Sequence, residues 1–313
     1  MFAGFTDSDF EAYAPKKWKS NVFNRERLEV KQKLLALGKE LTPALVATDG
    51  SALLCEASVE HPALWNHKQV EAQHLFFARN QASRKELDRI IDRARSMATM
   101  LEDPTPQRNH LFLCITLSHE RIELALRLHP DARVDRQNLE RKLAEVWERS
   151  VFLDLVRGLP DGYRVEVTGG AATTAGQLDD VGLRDLLAAL ARPEAPGQTH
   201  WLTIGRSVPR AEVKAAGAGL VASARSDLSA LLPIYQFIAW TRENDFVSMR
   251  EVLKAEKQTQ RQKGLAKHDR VRIVRGLFAG RAGIIQELDA RGAMKVLVGT
   301  LAVKVAADEV EKA

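Results

Sequence analysis

The segment RIVRGLFAGRAGII, residues 272 to 285, sets three glycines and three arginines around one phenylalanine, between two short apolar runs. Glycines this dense argue against a helix, where each costs about 1 kcal/mol relative to alanine. Gly276 and Gly280 suit a loop whose backbone angles are closed to residues with a β-carbon. Gly283 suits a strand position where a side chain would block close approach of a neighbouring chain. Around them, Val271 and Ile273 alternate with Arg270 and Arg272 as in a half-buried strand. IIQEL and MKVLV read as a hairpin through DARG, and LAVKV as a last strand. These short strands and tight turns predict a small β-barrel over residues 267–313.

Charge is concentrated in the same region. The chain carries a net charge of +5, yet residues 249 to 275 alone hold nine Lys or Arg against three Asp or Glu, an excess of six that leaves the remainder near neutrality. Arg250, Lys254, Lys257 and Arg261 recur at i, i+4, i+7 and i+11, so a helix there would carry four cations along one stripe leading into the barrel. An aromatic flanked by Arg275 and Arg281 suits nucleic acid, because bases stack on rings and guanidinium planes while arginines neutralise phosphates. Phe278 has a second reading as a plug in the barrel's own core. Arg270, Arg272 and Arg275 have a second reading as solvated strand decoration, and Lys295 on the hairpin joins the expected partner-binding residues.

Val271, Ile273, Gly276, Phe278, Gly280 and Gly283 fall in the order V-x-V-x-x-G-x-F-x-G-x-x-G. In this the segment resembles the KOW motif of NusG-type transcription factors and of several ribosomal proteins, a motif that opens an SH3-like barrel. The resemblance implies binding to RNA, a ribosome or an RNA polymerase complex through the loop carrying Phe278 and the basic side chains beside it. The VGTLAVKV stretch is shorter than its NusG counterpart, which bears on the choice of partner.

The rest of the chain mixes strands and helices without strict βαβ alternation, so the fold class is α+β. The expected layout is a body of mixed α-helices and β-sheet over residues 1–207, a long, basic helical connector over 208–266, and a small SH3-like barrel over 267–313. In RIELALRL, Ile122, Leu124, Leu126 and Leu128 alternate with Arg121, Glu123 and Arg127, and the run pairs with LFLCITL as a hairpin. A long amphipathic helix runs from Asn24, with Leu28, Leu34, Leu35, Leu41 and Leu45 near one side and Pro43 as the point of a kink or break. Another starts at the capping box Ser83-x-x-Glu86. Asp135 reads as a helix cap, and Thr174-x-x-Gln177 as the capping box of a helix running to about Ala191. After Pro209 the chain reads as helical to about Gly264, bent near Gly217, Gly219 and Pro233. The order GFTDSDFEAY, LGKELTPAL, HLFFARN, HLFLCITL and RIELALRL is similar to the YktB-like family of small bacterial α+β proteins over roughly residues 4 to 200. That resemblance implies a fold and no mechanism.

Chemistry is sparse. Cys55 and Cys114 lie in apolar settings without metal or redox spacing, so buried reduced thiols are expected. Gly169 and Gly170 between a strand and a helix offer a weak anion cradle, opposed by Asp179 and Asp180. His61, His67, His74, His110 and His119 show no ligand spacing. No catalytic residue, metal or cofactor is expected, nor a membrane span or export signal, and the cytoplasm is the expected location. An alternative reading makes the body a hydrolase or nucleotide-handling enzyme, with a pocket lined by His61, His67, Glu71 and His119, and the barrel a targeting or protein-docking module.

Overall fold

The computed structural model describes residues 1–47, 50–60, 62, 69–91, 109–168, 170, 172–192, 200–247, 265–275, 278–288, 293–306 and 309–312. The chain divides into two compact units, Met1–Arg84 with Pro106–Asn244 and Lys85–Thr105 with Asp245–Ala313. The described elements are, in chain order, α1 (Asp7–Glu11), α2 (Asn24–Leu41), β1 (Leu54–Ala57), β2 (Ala72–Ala78), α3 (Gln81–Ile91), β3 (Phe112–Ser118), β4 (Arg121–Leu128), α4 (Arg133–Ala144), α5 (Val146–Arg157), β5 (Arg164–Val167), β6 (Thr173–Thr174), α6 (Asp180–Leu190), β7 (Leu202–Pro209), α7 (Arg210–Ala216), α8 (Leu220–Ile238), β8 (Arg270–Ile273), β9 (Ala282–Leu288), β10 (Ala293–Val298), β11 (Leu301–Ala306) and β12 (Val310–Lys312). The protein is α+β.

In the first unit, the body, seven described strands form an antiparallel sheet in the order β1-β2-β3-β4-β7-β5-β6. The alternation in residues 121–128 sets its two faces. Ile122, Leu124, Leu126 and Leu128 enter the large core with Leu75, Phe77, Leu113 and Ile115. On the opposite face Phe76, Ala78, Phe112, Cys114 and Ala125 form a second buried cluster against Trp201, with edge-to-face rings at 5.0 Å (Phe76 to Phe112) and 5.6 Å (Phe112 to Trp201).

Helices α2 and α8 supply much of the large core. In α2 the buried stripe is Val30, Leu34, Leu37 and Leu41, while Leu28 is exposed, so the helix is rotated from the face its leucines suggested. The helix ends at Leu41 and Pro43 lies in the 3-10 turn that follows, so of the two expectations the break holds. In α8, Leu220, Ala224, Leu228, Leu231, Tyr235 and Ile238 are buried at helical spacing, and the helix runs through Pro233 because packing outweighs its missing donor. The expected connector bounds therefore take in residues of the body. Residues 210–238 belong to the body, since Val213, Leu220 and Leu228 are part of its core. Residues 248–264 lie outside the described residues.

Three helix starts differ from the sequence reading, two of them because a different side chain reaches the free backbone N–H groups. Asn80 accepts from the Ser83 amide at 2.9 Å, and α3 begins at Gln81. Asp179 accepts from the Gly182 amide at 2.7 Å and starts α6, so Thr174 to Gln177 forms a short strand and a 3-10 turn. Helix α4 begins at Arg133, and Asp135 is not its cap.

Asp135 is instead fully buried and held by four donors. Arg79 pairs with both carboxylate oxygens, one bond at 2.8 Å, and the amides of Leu111 and Trp240 donate at 3.0 and 2.9 Å. Arg79 also donates to the Trp240 carbonyl at 3.1 Å. Further along α4, Asn138 donates to the Ile238 carbonyl at 3.3 Å and Lys142 to the Phe237 carbonyl at 3.3 Å, while Asn244 donates to the Ala239 carbonyl at 2.8 Å. The carbonyls that α8 leaves free at its end are thus met by side chains.

Burial alone would raise the Asp135 carboxyl, but the Arg79 guanidinium and the two amides outweigh it and hold the pKa below the ordinary aspartate range. A depressed folded pKa gives a contribution that is present above the unfolded pKa and lost as pH falls through the folded one. Asp135→Ala leaves Arg79 buried without its counter-ion and should cost about 3–5 kcal/mol, read as a lowered urea midpoint. The gap between variant and parent should narrow on acidification.

Candidate nucleic-acid interface

Five described strands of the C-terminal module form an antiparallel sheet in the order β11-β10-β9-β8-β12. Each of the first four pairs with the next, and β12 returns to pair with β8, so a small barrel-like unit results. LAVKV is therefore not the last strand, because Val310 to Lys312 add a short one against Ile273 to Val271. The inner side chains are Val271, Ile273, Ile285, Met294, Val296, Val303, Val305 and Val310, and Leu265, Phe278, Leu288 and Val298 pack against them half-buried.

The alternation of β8 puts Val271 and Ile273 inside and leaves Arg270 and Arg272 exposed on one side. At a rise of roughly 3.3 Å per residue, the two arginines leave the strand about 7 Å apart. The loop that follows is tied at its base, with the Gly280 amide donating to the Ile273 carbonyl at 2.7 Å and the Ile273 amide to the Arg281 carbonyl at 2.8 Å. This brings Arg281 back opposite Ile273 at the end of β8, and Arg275 and Arg281 are both exposed. Gly280 has φ of 84°, which favours glycine. A β-carbon at Gly283 would run into the Val296 side chain and come within 2.7 Å of the Leu297 carbonyl oxygen. Gly276 lies outside the described residues, as do Arg250, Lys254, Lys257 and Arg261.

The acids near these arginines are placed unevenly. Asp269, next to Arg270 in the chain, accepts from the Ala266 amide at 2.8 Å and pairs with Lys312 at 3.1 Å, and those two partners hold its pKa below the ordinary value. Arg272 faces Glu311 across the β8–β12 pairing, whereas Arg270 faces Ile284. None of Arg270, Arg272, Arg275, Arg281 or Lys295 is ion-paired to another described residue. Lys295 stands apart from the arginines, two strands from β8 and between Glu287 and Lys304. Lys304 was not singled out in the sequence, although its alternate place in LAVKV marks an exposed position, and it is exposed. Phe278 follows the plug reading in being packed against the module's core.

In the body, the described histidines of the sequence reading lie with ordinary polar neighbours. His61 and His67 lie outside the described residues, as does Gly169. Glu71 is exposed, His74 meets Thr116 at 3.0 Å, and His119 lies 3.3 Å from Glu120. The Gly170 amide donates to the Val167 carbonyl at 2.8 Å, so it is engaged by its own turn. Burial pushes the thiols of Cys55 and Cys114 up to about 11, leaving both protonated and poorly nucleophilic at neutral pH. Among the described residues no group of three His, Cys, Asp or Glu could hold a metal ion, and no helix is long and apolar enough to cross a membrane.

The chain matches no protein-family model and no curated protein.

Gly283→Ala should loosen the module by about 1–3 kcal/mol, because the added methyl group overpacks the β9–β10 contact. Hydrogen exchange in the full chain should show faster exchange of β9 and β10 amides and an unchanged rate for β3 and β4.

Proposed function

We propose that the protein is a non-enzymatic RNA-binding protein whose C-terminal module attaches it to RNA, either alone or within a ribosome or RNA polymerase complex. The observation that carries the reading is the run of exposed arginines along β8 and its loop, Arg270, Arg272, Arg275 and Arg281, without ion pairs to other described residues. Like charges at this spacing repel one another, and a bound polyanion relieves that repulsion. The resemblance of the glycine spacing to the KOW motif, in an SH3-like barrel, supports the same reading. The stripe Arg250, Lys254, Lys257 and Arg261 would extend the basic surface and add phosphate contacts. The similarity of the body to the YktB-like family adds no activity, and a cytoplasmic location fits this function.

Arg270→Glu combined with Arg281→Glu should weaken binding of the full chain to RNA by about tenfold or more in a filter-binding assay. It should also flatten the log–log salt dependence by about 0.7–0.9 for each phosphate that is no longer neutralised. Unchanged affinity and slope would count against the reading. Affinity purification of the tagged protein with and without nuclease separates it from protein-only docking, in which nuclease leaves the complexes intact.

A further inference from the structure

Resting on that reading, we infer that the module takes base-paired RNA by its phosphates and does not take single strands by stacking their bases. Phe278 is the sole Phe, Tyr or Trp from position 265 to the end of the sequence, and it packs half-buried against the module's own core beside Leu265, Leu288 and Val298. The one other ring in that stretch is the exposed imidazole of His268, so successive bases of a single strand would meet no row of aromatic platforms and only guanidinium planes, which in this face serve phosphates. The residues directly across from Arg270 and Arg272 are Ile284, Ala282 and Glu311, and none of them carries an amide to pair with a base edge; the arginines themselves can pair with an open guanine edge, but the narrow major groove of a paired RNA stem keeps them at its phosphates.

What the face offers is guanidinium groups repeated along a strand. A paired stem presents phosphates in a fixed array that such groups can meet without further ordering. A flexible single strand must lose conformational freedom on binding and recovers it elsewhere by stacking on aromatic side chains. Recognition of double-stranded RNA rests mainly on shape and on phosphate and 2′-hydroxyl contacts, the kind this face can make.

The test is a fluorescence-anisotropy titration of the full chain with an RNA hairpin and with an unstructured oligouridine of equal length, at one salt concentration. The hairpin should bind at least about tenfold more tightly, and a second hairpin of scrambled stem sequence should match it. Phe278→Leu, which keeps the apolar packing and removes the ring, should leave hairpin affinity within about twofold, since no stacked base depends on it. Oligouridine binding as tightly as the hairpin would overturn the inference and leave the RNA-binding reading standing. So would a drop of about tenfold or more in Phe278→Leu with the far-ultraviolet spectrum unchanged. Failure of both RNAs to bind would sink the RNA-binding reading and this inference together.

Discussion

The carboxylate of Asp135 sits out of reach of water where four segments of the body meet: the end of β2 through Arg79, the entry to β3 through Leu111, the first turn of α4, and the backbone just past α8 at Trp240. Removing such a charge from water costs several kcal/mol, and the cost is offset only when every lone pair finds a donor. Here a paired guanidinium and two amides supply those donors. The arrangement fixes α4 against the end of α8, and the next polar residues on α4, Asn138 and Lys142, then meet the carbonyls of that end. The buried ion pair with its surrounding hydrogen bonds thus ties the sheet, α4 and α8 together beside the apolar core they share.

The C-terminal module treats charge in the opposite way. Its core is small and aliphatic, and its stability rests on close strand contact, which Gly283 permits at the β9–β10 pairing. Its described arginines stay at the surface. Asp269, the acid nearest to them in the chain, is taken by a backbone amide and Lys312. A buried pair is a feature of a scaffold, whereas a row of exposed cations without partners among the described residues is a feature of a surface that meets something negative. This contrast favours the module as the seat of the proposed function, with the body as its support.

Local pattern made parts of this legible in the sequence. The period-two runs of β4 and β8 told which side chains face inward, because a strand has only two faces. The glycines at 280 and 283 told of a turn and of a close contact, because no other residue satisfies either without strain. Long-range choices were hidden. Asp135 looked like a cap because its partner Arg79 lies 56 residues away in the chain. Leu28 looked like a core residue because a helix with many leucines does not declare its rotation. The body runs past residue 208 because the apolar stripe of α8 fits the sheet, and only tertiary packing shows that. The arginine face was legible in part. Arg270 and Arg272 follow from alternation, while the separation of Lys295 from them, and the pairing of Lys295 with Lys304, depend on strand register.

The most direct measurement is a hydrogen-exchange footprint of the full chain with and without saturating RNA. The account predicts slowed exchange along β8 and the base of its loop, with no change in β3, β4 and β7. Protection confined to the body sheet, with the module's exchange unaltered, would contradict it.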